Sequence, residues 1–344
     1  MSARSASPKG SRGAAGRISV VMPAYNAEAT LARALQGVVD QLGPRDELIV
    51  VDDGSTDRTA EIAESFQVRP IRMPSNQGVS PSRNAGAAAA QGEILFFADA
   101  DAMLAPGALE RAHDQLEADP SCAAVVGIYS ADGGPGNTVS RVKNLWIRYT
   151  YLRAGEWIDW VFTCAMAVRR EAFEAVGGFV SAAGVRWGGD DIELGLRLTR
   201  GGYRIRLDPG IQTTHLRRYD TVGLLLNDFC RSTGFASLGW RTLGWRTLLR
   251  DRRFANIDAR FLAGLPLVGG TAAMLWAAPA APGLLLLAPF PLAAHFLLNL
   301  PYYRYLHRHG GPGLALAGSA LLFSSQLVSL LGSALGVSGV LPRT

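Results

Sequence analysis

The chain has 344 residues, 48% of them hydrophobic and 18% charged, with a formal net charge of +5. All 29 acidic residues lie at or before Asp258, and beyond Arg260 the only charged residues are Arg304, Arg308 and Arg343. The uncharged stretches 261–303 and 309–342 are long enough to cross a bilayer and exclude a purely soluble protein.

Summed by segment, residues 1–17 carry +4, residues 18–215 carry −7 from 18 basic and 25 acidic side chains, residues 216–260 carry +5, and the remainder +3. Nucleic acid is therefore a poor partner, because the large folded segment is acidic and clusters no cations for phosphates. The three cysteines, Cys122, Cys164 and Cys230, form no Cys-x-x-Cys pair and read as reduced and unrelated to zinc.

In chain order, residues 1–17 lack the apolar run of a secretory signal and read as a disordered basic tail, so the next domain is expected to stay cytoplasmic. Residues 18–22, 48–51 and 94–98 are short β-branched or aromatic runs that predict buried strands. Helical patterns over 27–39, 56–66 and 80–91 separate them, the last with Ser80 as N-cap and Pro81 at the first helical position. This alternation predicts an α/β fold with a Rossmann-like, mostly parallel sheet whose ligands lie beyond the carboxyl ends of the strands.

Those ends carry Pro23-Ala-Tyr-Asn26, Asp52-Asp-Gly-Ser55 and Asp99-Ala-Asp101. In an Asp-x-Asp ending a strand, both carboxylates point to one side, which suits a hard divalent ion also held by a diphosphate. A solvated acidic turn gives the same pattern. Further on, residues 165–179 read as a strand, a helix and a Gly-Gly stop. Asp190 and Asp191 then open a helix after Trp187-Gly-Gly, where the N-terminal dipole favours an ionised carboxylate able to take a proton from a hydroxyl. Simple helix capping is the alternative.

The joint order of these motifs resembles the inverting glycosyltransferases of family 2, which have the GT-A fold. The resemblance rests on Val20-Val-Met-Pro-Ala-Tyr-Asn26, Val50-Val-Asp-Asp-Gly-Ser-Thr-Asp57, Asn76-Gln-Gly78 with Ser82-Arg-Asn-Ala-Gly86, Asp99-x-Asp101 and Gly188-Gly-Asp-Asp-Ile-Glu-Leu194, and it covers residues 18–215. It implies that Pro23, Tyr25 and Asp53 hold the nucleotide, with Asp53 at the base edge. Arg83 would approach the donor phosphates and Asp99 the ribose or sugar. Asp101 would bind Mg2+ or Mn2+, with His215 as a further metal ligand. Asp191 would be the catalytic base, with Asp190 and Trp187 at the acceptor or donor sugar. The family commonly has Glu where Asp190 stands, so the reach here is one methylene shorter. Cys164 is expected to pack rather than react.

Residues 216–260 interleave Arg231, Arg241, Arg246, Arg250, Arg252, Arg253 and Arg260 with aromatic residues including Trp240 and Trp245, and read as an amphipathic segment on an anionic membrane surface. Residues 261–342 read as about three transmembrane helices, roughly 261–279, 283–301 and 313–341, with Pro289 and Pro291 kinking the second. With the catalytic domain inside, Arg304 and Arg308 face the cytoplasm in a multi-pass inner-membrane protein. A re-entrant pair in place of the first two spans is the alternative topology.

The resemblance then implies transfer from a nucleotide-diphosphate sugar to a membrane lipid or polyprenyl-linked glycan. The rivals are a processive polysaccharide synthase, whose Gln-x-x-Arg-Trp motif is not found here, a nucleotide-sugar-binding scaffold without catalysis, and a transport or assembly component.

Overall fold

The computed structural model describes residues 17–132, 134–180, 189–238, 257 and 259–338. The first half alternates strictly: β1 (Ile18–Ala24), α1 (Leu31–Val39), β2 (Glu47–Asp52), α2 (Thr59–Ser65), β3 (Ile71–Arg72), α3 (Val79–Ala89) and β4 (Ile94–Phe97). These four strands lie in the order β3-β2-β1-β4, all parallel. Every residue of β1 and β4 is buried, as expected of parallel strands covered on both faces. α1 turns Leu31, Ala34, Leu35 and Val38 to the core at helical spacing.

The second half follows as β5 (Ala102–Leu104), α4 (Ala108–Ala118), β6 (Cys122–Tyr129), α5 (Thr138–Tyr151), β7 (Trp157–Ile158), a 3-10 turn (Thr163–Ala165), β8 (Met166–Arg169), α6 (Arg170–Ala175), α7 (Asp190–Arg200) and β9 (Arg204–His215). It extends the sheet through β8, β6, β9 and β5, with β7 also on β9. Two antiparallel pairings matter for the site. β8 runs against β4 with Met166 opposite Phe97, so the turn just before β8 arrives at the carboxyl end of β4. β5 runs against β9 with Ala102 opposite His215, which brings His215 beside Asp101.

The start of α3 differs from the sequence expectation. Gly78, at φ +94°, occupies the cap position and Ser80 lies inside the helix. The Asp53 carboxylate accepts the N–H groups of Gln77 (2.8 Å) and Gly78 (2.9 Å), so it holds the entry to this helix and frees the Ser80 hydroxyl for another partner.

The C-terminal part comprises α8 (Thr221–Leu238), α9 (Ala259–Ala277), α10 (Leu284–Leu287) and α11 (Pro289–Ser338). Two stretches, Ala259–Ala277 and Leu284–Ser338, are long and apolar enough to cross a membrane, with mean hydropathies of 1.2 and 1.8. Pro289 opens a helix instead of kinking one; the interruption of α11 falls at Gly310 and Gly311, the latter at φ +73°. The expected basic tail, apart from Arg17, lies outside the described residues, as do Arg241, Arg246, Arg250, Arg252, Arg253, Trp240 and Trp245.

α8 packs along α11 because Gly332 and Gly336 admit its backbone: a Cβ at these positions would stand 2.5 Å from the Phe229 carbonyl oxygen and 2.3 Å from that of Thr233. α5 joins the α/β unit to the same helices. The Tyr302 hydroxyl donates to the Val142 carbonyl at 3.1 Å, within an apolar cluster of Leu145, Tyr149, Leu306 and Leu322.

α7 is seated with comparable closeness, since a Cβ on Gly195 would lie 2.4 Å from Trp160 Cα and 2.7 Å from the Asp159 carbonyl oxygen. Gly195→Ala should therefore destabilise the protein by about 1–3 kcal/mol, read as a lowered thermal midpoint. An unchanged midpoint would show that α7 can shift without cost.

Candidate active site

The loops after β1 and β2 are laced together. The Asn26 side chain accepts the Thr56 N–H at 2.9 Å, Ser55 Oγ accepts the Asn26 N–H at 3.0 Å, and Asp57 accepts the Glu28 N–H at 3.0 Å. Pro23 is buried in β1 opposite Val51, whereas Tyr25 is 47% exposed and free to meet a ligand. Asp53 is buried and both its oxygens already accept backbone N–H groups, so it shapes the 75–78 loop; sequence reasoning placed it facing a nucleotide base.

Arg83 lies beneath the site. Its side chain is 6% exposed, and Nη2 donates to Asp99 Oδ1 and to Thr163 Oγ1, each at 2.7 Å. Its guanidinium also sits over the Phe179 ring, 5.3 Å from the centroid. The sequence-based expectation directs Arg83 at donor phosphates; in the structure its contacts orient Asp99. Asp99 Oδ2 accepts the Cys164 thiol at 2.9 Å. Burial, then the charges of Asp99 and Asp101, push this thiol well above its usual pKa. Cys164 is thus a neutral donor and not a nucleophile.

Asp101 and His215 stand side by side, with His215 Nε2 3.5 Å from Asp101 Oδ2. On the other edge of the imidazole, Nδ1 is 3.1 Å from the Asn144 side-chain oxygen on α5. With the Nδ1 proton donated to Asn144, Nε2 presents its lone pair toward a carboxylate, and the facing lone pairs need a proton or a cation between them. This donor set fits a divalent ion that takes one or two protein ligands and completes its shell with substrate oxygens. Among the described residues no third carboxylate, imidazole or thiol joins them. A polar cleft of about 190 Å³, lined by Ser130, Asp132, Arg141, Asn144 and His215, opens beside the pair.

Asp190 and Asp191 open α7 as expected, after Gly189 at φ +103°. Asp190 accepts the Ser80 hydroxyl, and so fastens α7 to α3. Asp191 accepts the Ile192 N–H at 2.9 Å. Sequence reasoning has the helix N-terminus favour its ionised form. The structure gives the opposite net direction: burial raises the Asp191 carboxyl, outweighing the lowering pulls of Arg231, the Ile192 N–H and Arg83, and the neighbouring Asp190 charge adds to the rise. Trp187 lies outside the described residues.

Three residues missed by the sequence reading belong to this site: Asn144 behind His215, Thr163 on Arg83, and Arg231, whose charge bears on Asp191. None sits in a recognisable motif. Arg231 had a signal, since it stands in the basic and aromatic run 216–260, but that run points to a membrane surface and not inward.

Residues 19–177 match the family described as Glycosyl transferase family 2, and residues 147–221 match the N-terminal domain of galactosyltransferase. An uncharacterized glycosyltransferase of Haemophilus influenzae is 38% identical over 27% of this chain and 40% of its own length. A probable glycosyltransferase of Bacillus subtilis is 29% identical over 57% of this chain and 50% of its own. The validoxylamine A glucosyltransferase of Streptomyces hygroscopicus is 29% identical over 61% of this chain and 55% of its own. The chain thus spans about half the length, or less, of these curated relatives. A mannosyltransferase from Pyrobaculum calidifontis, solved in complex with GDP-Man and Mn2+, superposes with a TM-score of 0.59 at 22% identity, over 89% of this chain and 86% of its own, and shows the shared GT-A fold.

Because Arg83 is a buried cation compensated by one carboxylate, removing its charge leaves Asp99 unpaired. Arg83→Met should cost about 3–5 kcal/mol of stability, seen as a lowered thermal midpoint. Arg83→Lys should rescue little, since the shorter side chain brings its nitrogen short of Asp99 and Thr163 and loses the planar contact with Phe179. Wild-type stability in either variant would remove Arg83 from this role.

Proposed function

We propose, from the match of residues 19–177 to glycosyl transferase family 2, that the chain moves a sugar, with inversion, from a nucleoside-diphosphate sugar to a membrane-held acceptor, a lipid or polyprenyl-linked glycan, at the cytoplasmic face. One observation carries the reading. Arg83 bonds Asp99 and its charge also bears on Asp191, while Asp99 leads directly to Asp101 beside His215. This linkage supports reading the three aspartates as the donor-side, cation-binding and proton-accepting parts of one site.

In this mechanism Tyr25, Pro23 and the laced 26–57 loops form the nucleotide wall, and Asp99, oriented by Arg83 and Cys164, accepts a hydroxyl of the ribose or sugar. Asp101 and His215 would hold Mg2+ or Mn2+, with Asn144 fixing the imidazole. Bound there, the ion supplies positive charge to the leaving diphosphate. Asp191 takes the proton of the acceptor hydroxyl as that oxygen bonds the anomeric carbon from the face opposite the departing diphosphate. Its raised pKa makes it a stronger base than an exposed carboxylate. Asp190, held by Ser80, sets the angle at which α7 presents Asp191. The complex of the Pyrobaculum mannosyltransferase with GDP-Man and Mn2+ supports this class of donor and ion.

The membrane-held acceptor follows from the apolar C-terminal helices fastened to the catalytic unit. In the three-crossing arrangement α9 and the two halves of α11 each span the bilayer, Arg304 and Arg308 lie on the cytoplasmic side, and the chain ends outside.

Asp191→Asn should abolish transfer yet retain nucleotide binding, and Asp101→Ala should abolish stimulation by Mn2+. Near wild-type turnover of Asp191→Asn, or full wild-type activity in excess chelator, would defeat these assignments. The base must be ionised to work, so kcat/KM should fall as the pH drops through the pKa of Asp191, with a limb above the ordinary carboxylate value of about 3.9. A flat profile across pH 4–7 would contradict that role. For topology, a C-terminal tag should be accessible from the outer face of intact cells, and a tag protected there would defeat the three-crossing arrangement.

A further inference from the structure

The structure takes Arg83 away from the role that its motif suggests. Its guanidinium is buried and committed to Asp99 and Thr163, so it is not free to meet a diphosphate. A second arginine stands closer to the proposed cation site. Arg217 lies in the turn that leaves β9, two residues beyond His215, and its side chain is exposed.

That turn is fixed on both sides of Arg217. The Leu216 N–H donates to the Asp101 carbonyl at 2.7 Å. Tyr219 is held by the start of α5: its N–H donates to Ser140 Oγ at 2.7 Å, and its carbonyl accepts from the Asn137 side chain at 2.5 Å. The Arg217 guanidinium rests over the Tyr219 ring, 5.0 Å from the centroid. The same ring is buried and borders the imidazole of His215, with 6.0 Å between centroids. Asp220, the nearest carboxylate in sequence, is engaged at the start of α8, where it accepts the Gly223 N–H at 2.6 Å. Among the described residues no carboxylate pairs with Arg217. Its charge nevertheless reaches the cation site. Burial acts to raise the Asp101 carboxyl, but a hydrogen bond and charge from His215, and then the charge of Arg217, bring it below its ordinary value.

An exposed arginine is well solvated and by itself calls for no ligand. The place of Arg217 is what matters: it is a fixed positive charge beside a donor pair that suits a divalent ion. Two cations repel each other there unless an anion lies between them. A diphosphate meets that condition, since its oxygens complete the shell of the ion on one side and meet the guanidinium fork on the other. We propose that Arg217 binds the diphosphate of the donor opposite the ion held by Asp101 and His215, so that ion and nucleotide enter the site as a mutually dependent pair. When the anomeric C–O bond breaks, its electron pair stays on the diphosphate oxygen, and Arg217 meets the charge that develops there. The inference rests on the reading of the chain as a nucleotide-sugar transferase with Asp101 and His215 at its cation site, and names a residue that takes up the leaving charge.

The test uses the full chain in neutral detergent micelles. Titration calorimetry in excess Mn2+ measures binding of the diphosphates and monophosphates of uridine, guanosine, cytidine and thymidine, and electron paramagnetic resonance measures binding of Mn2+ alone. The wild type should prefer at least one nucleoside diphosphate over its monophosphate. Arg217→Gln should reduce that preference about tenfold, the size of a lost hydrogen bond to a charged group, and Arg217→Lys should restore part of it. Arg218→Gln, which removes the adjacent exposed charge, should leave the preference within about twofold. Mn2+ alone separates this role from a structural one. With the neighbouring cation gone, Arg217→Gln should bind the bare ion no more weakly than the wild type and up to about fivefold more tightly. Four results would overturn the proposal: no diphosphate preference in the wild type, an unchanged preference in Arg217→Gln, an equal loss in Arg218→Gln, or weaker binding of the bare ion by Arg217→Gln, which would mean that Arg217 only supports the cation site. A wild type that binds none of the diphosphates refutes the transferase reading itself, whereas nucleotide binding indifferent to Arg217 refutes this assignment alone.

Discussion

A single buried cation organises the candidate active site. The Arg83 side chain is 6% exposed on α3, a helix with no acidic residue of its own, and a guanidinium in that position has to find a carboxylate and neutral acceptors nearby. It finds Asp99 at the end of β4 and Thr163 in the turn before β8. That requirement ties three parts of the chain, 16 and 80 residues from Arg83, to one point. Asp99 then has one oxygen fixed by Arg83 and the other by the Cys164 thiol, so its position is set before any ligand arrives. The antiparallel course of β8 makes this possible, because a parallel strand would carry residues 163–164 to the opposite edge of the sheet.

From that point the site divides into two sides with different supports. The side of Asp101 and His215 is built within the sheet, by the pairing of β5 with β9, and is braced by Asn144 from α5. The side of Asp191 depends on packing. α7 sits against residues 159–160 through Gly195, is fastened to α3 by Ser80, and receives the charge of Arg231 from α8. Since α8 in turn lies against the glycines of α11, the environment of the proposed base is coupled to the apolar C-terminal helices. The catalytic unit and its hydrophobic end are in this sense one device, and α5 is its second joint through Tyr302 and the Lys143–Asp228 pair.

Much of the first half was legible because its signals are local. The buried runs of β1, β2 and β4, the amphipathic spacing in α1 and the aspartates at strand ends are set by residues close in sequence. The sequence says less where a side chain chooses among distant partners. Ser80 reads as a helix cap, yet Asp53 already holds the entry to α3 and the Ser80 hydroxyl goes to Asp190, 110 residues away. Asp53 reads as a ligand-facing carboxylate, and its two backbone N–H partners, which hold the 75–78 loop, are not visible in the sequence. At Asp191 the helix terminus argues for a lowered pKa, but a dipole effect of a few tenths to one kcal/mol yields to burial. Arg231 reads as a headgroup-facing cation because its neighbours in sequence are arginines and aromatics; only the packing of α8 turns it inward.

The sequence by itself determined the class of fold, the order of the motifs, the carboxylates that gather at one end of the sheet, and the concentration of apolar, charge-free segments after Arg260. All of these follow from periodicity, composition and short spacing, which act over a few residues. Tertiary structure alone decided which of those carboxylates are already engaged, which histidine nitrogen faces Asp101, and which arginines bear on the charge of Asp191. The reason is physical. Hydrogen bonds and desolvation act over a few ångströms in space, between residues 65 to 110 positions apart in the chain, and no local pattern records such a meeting.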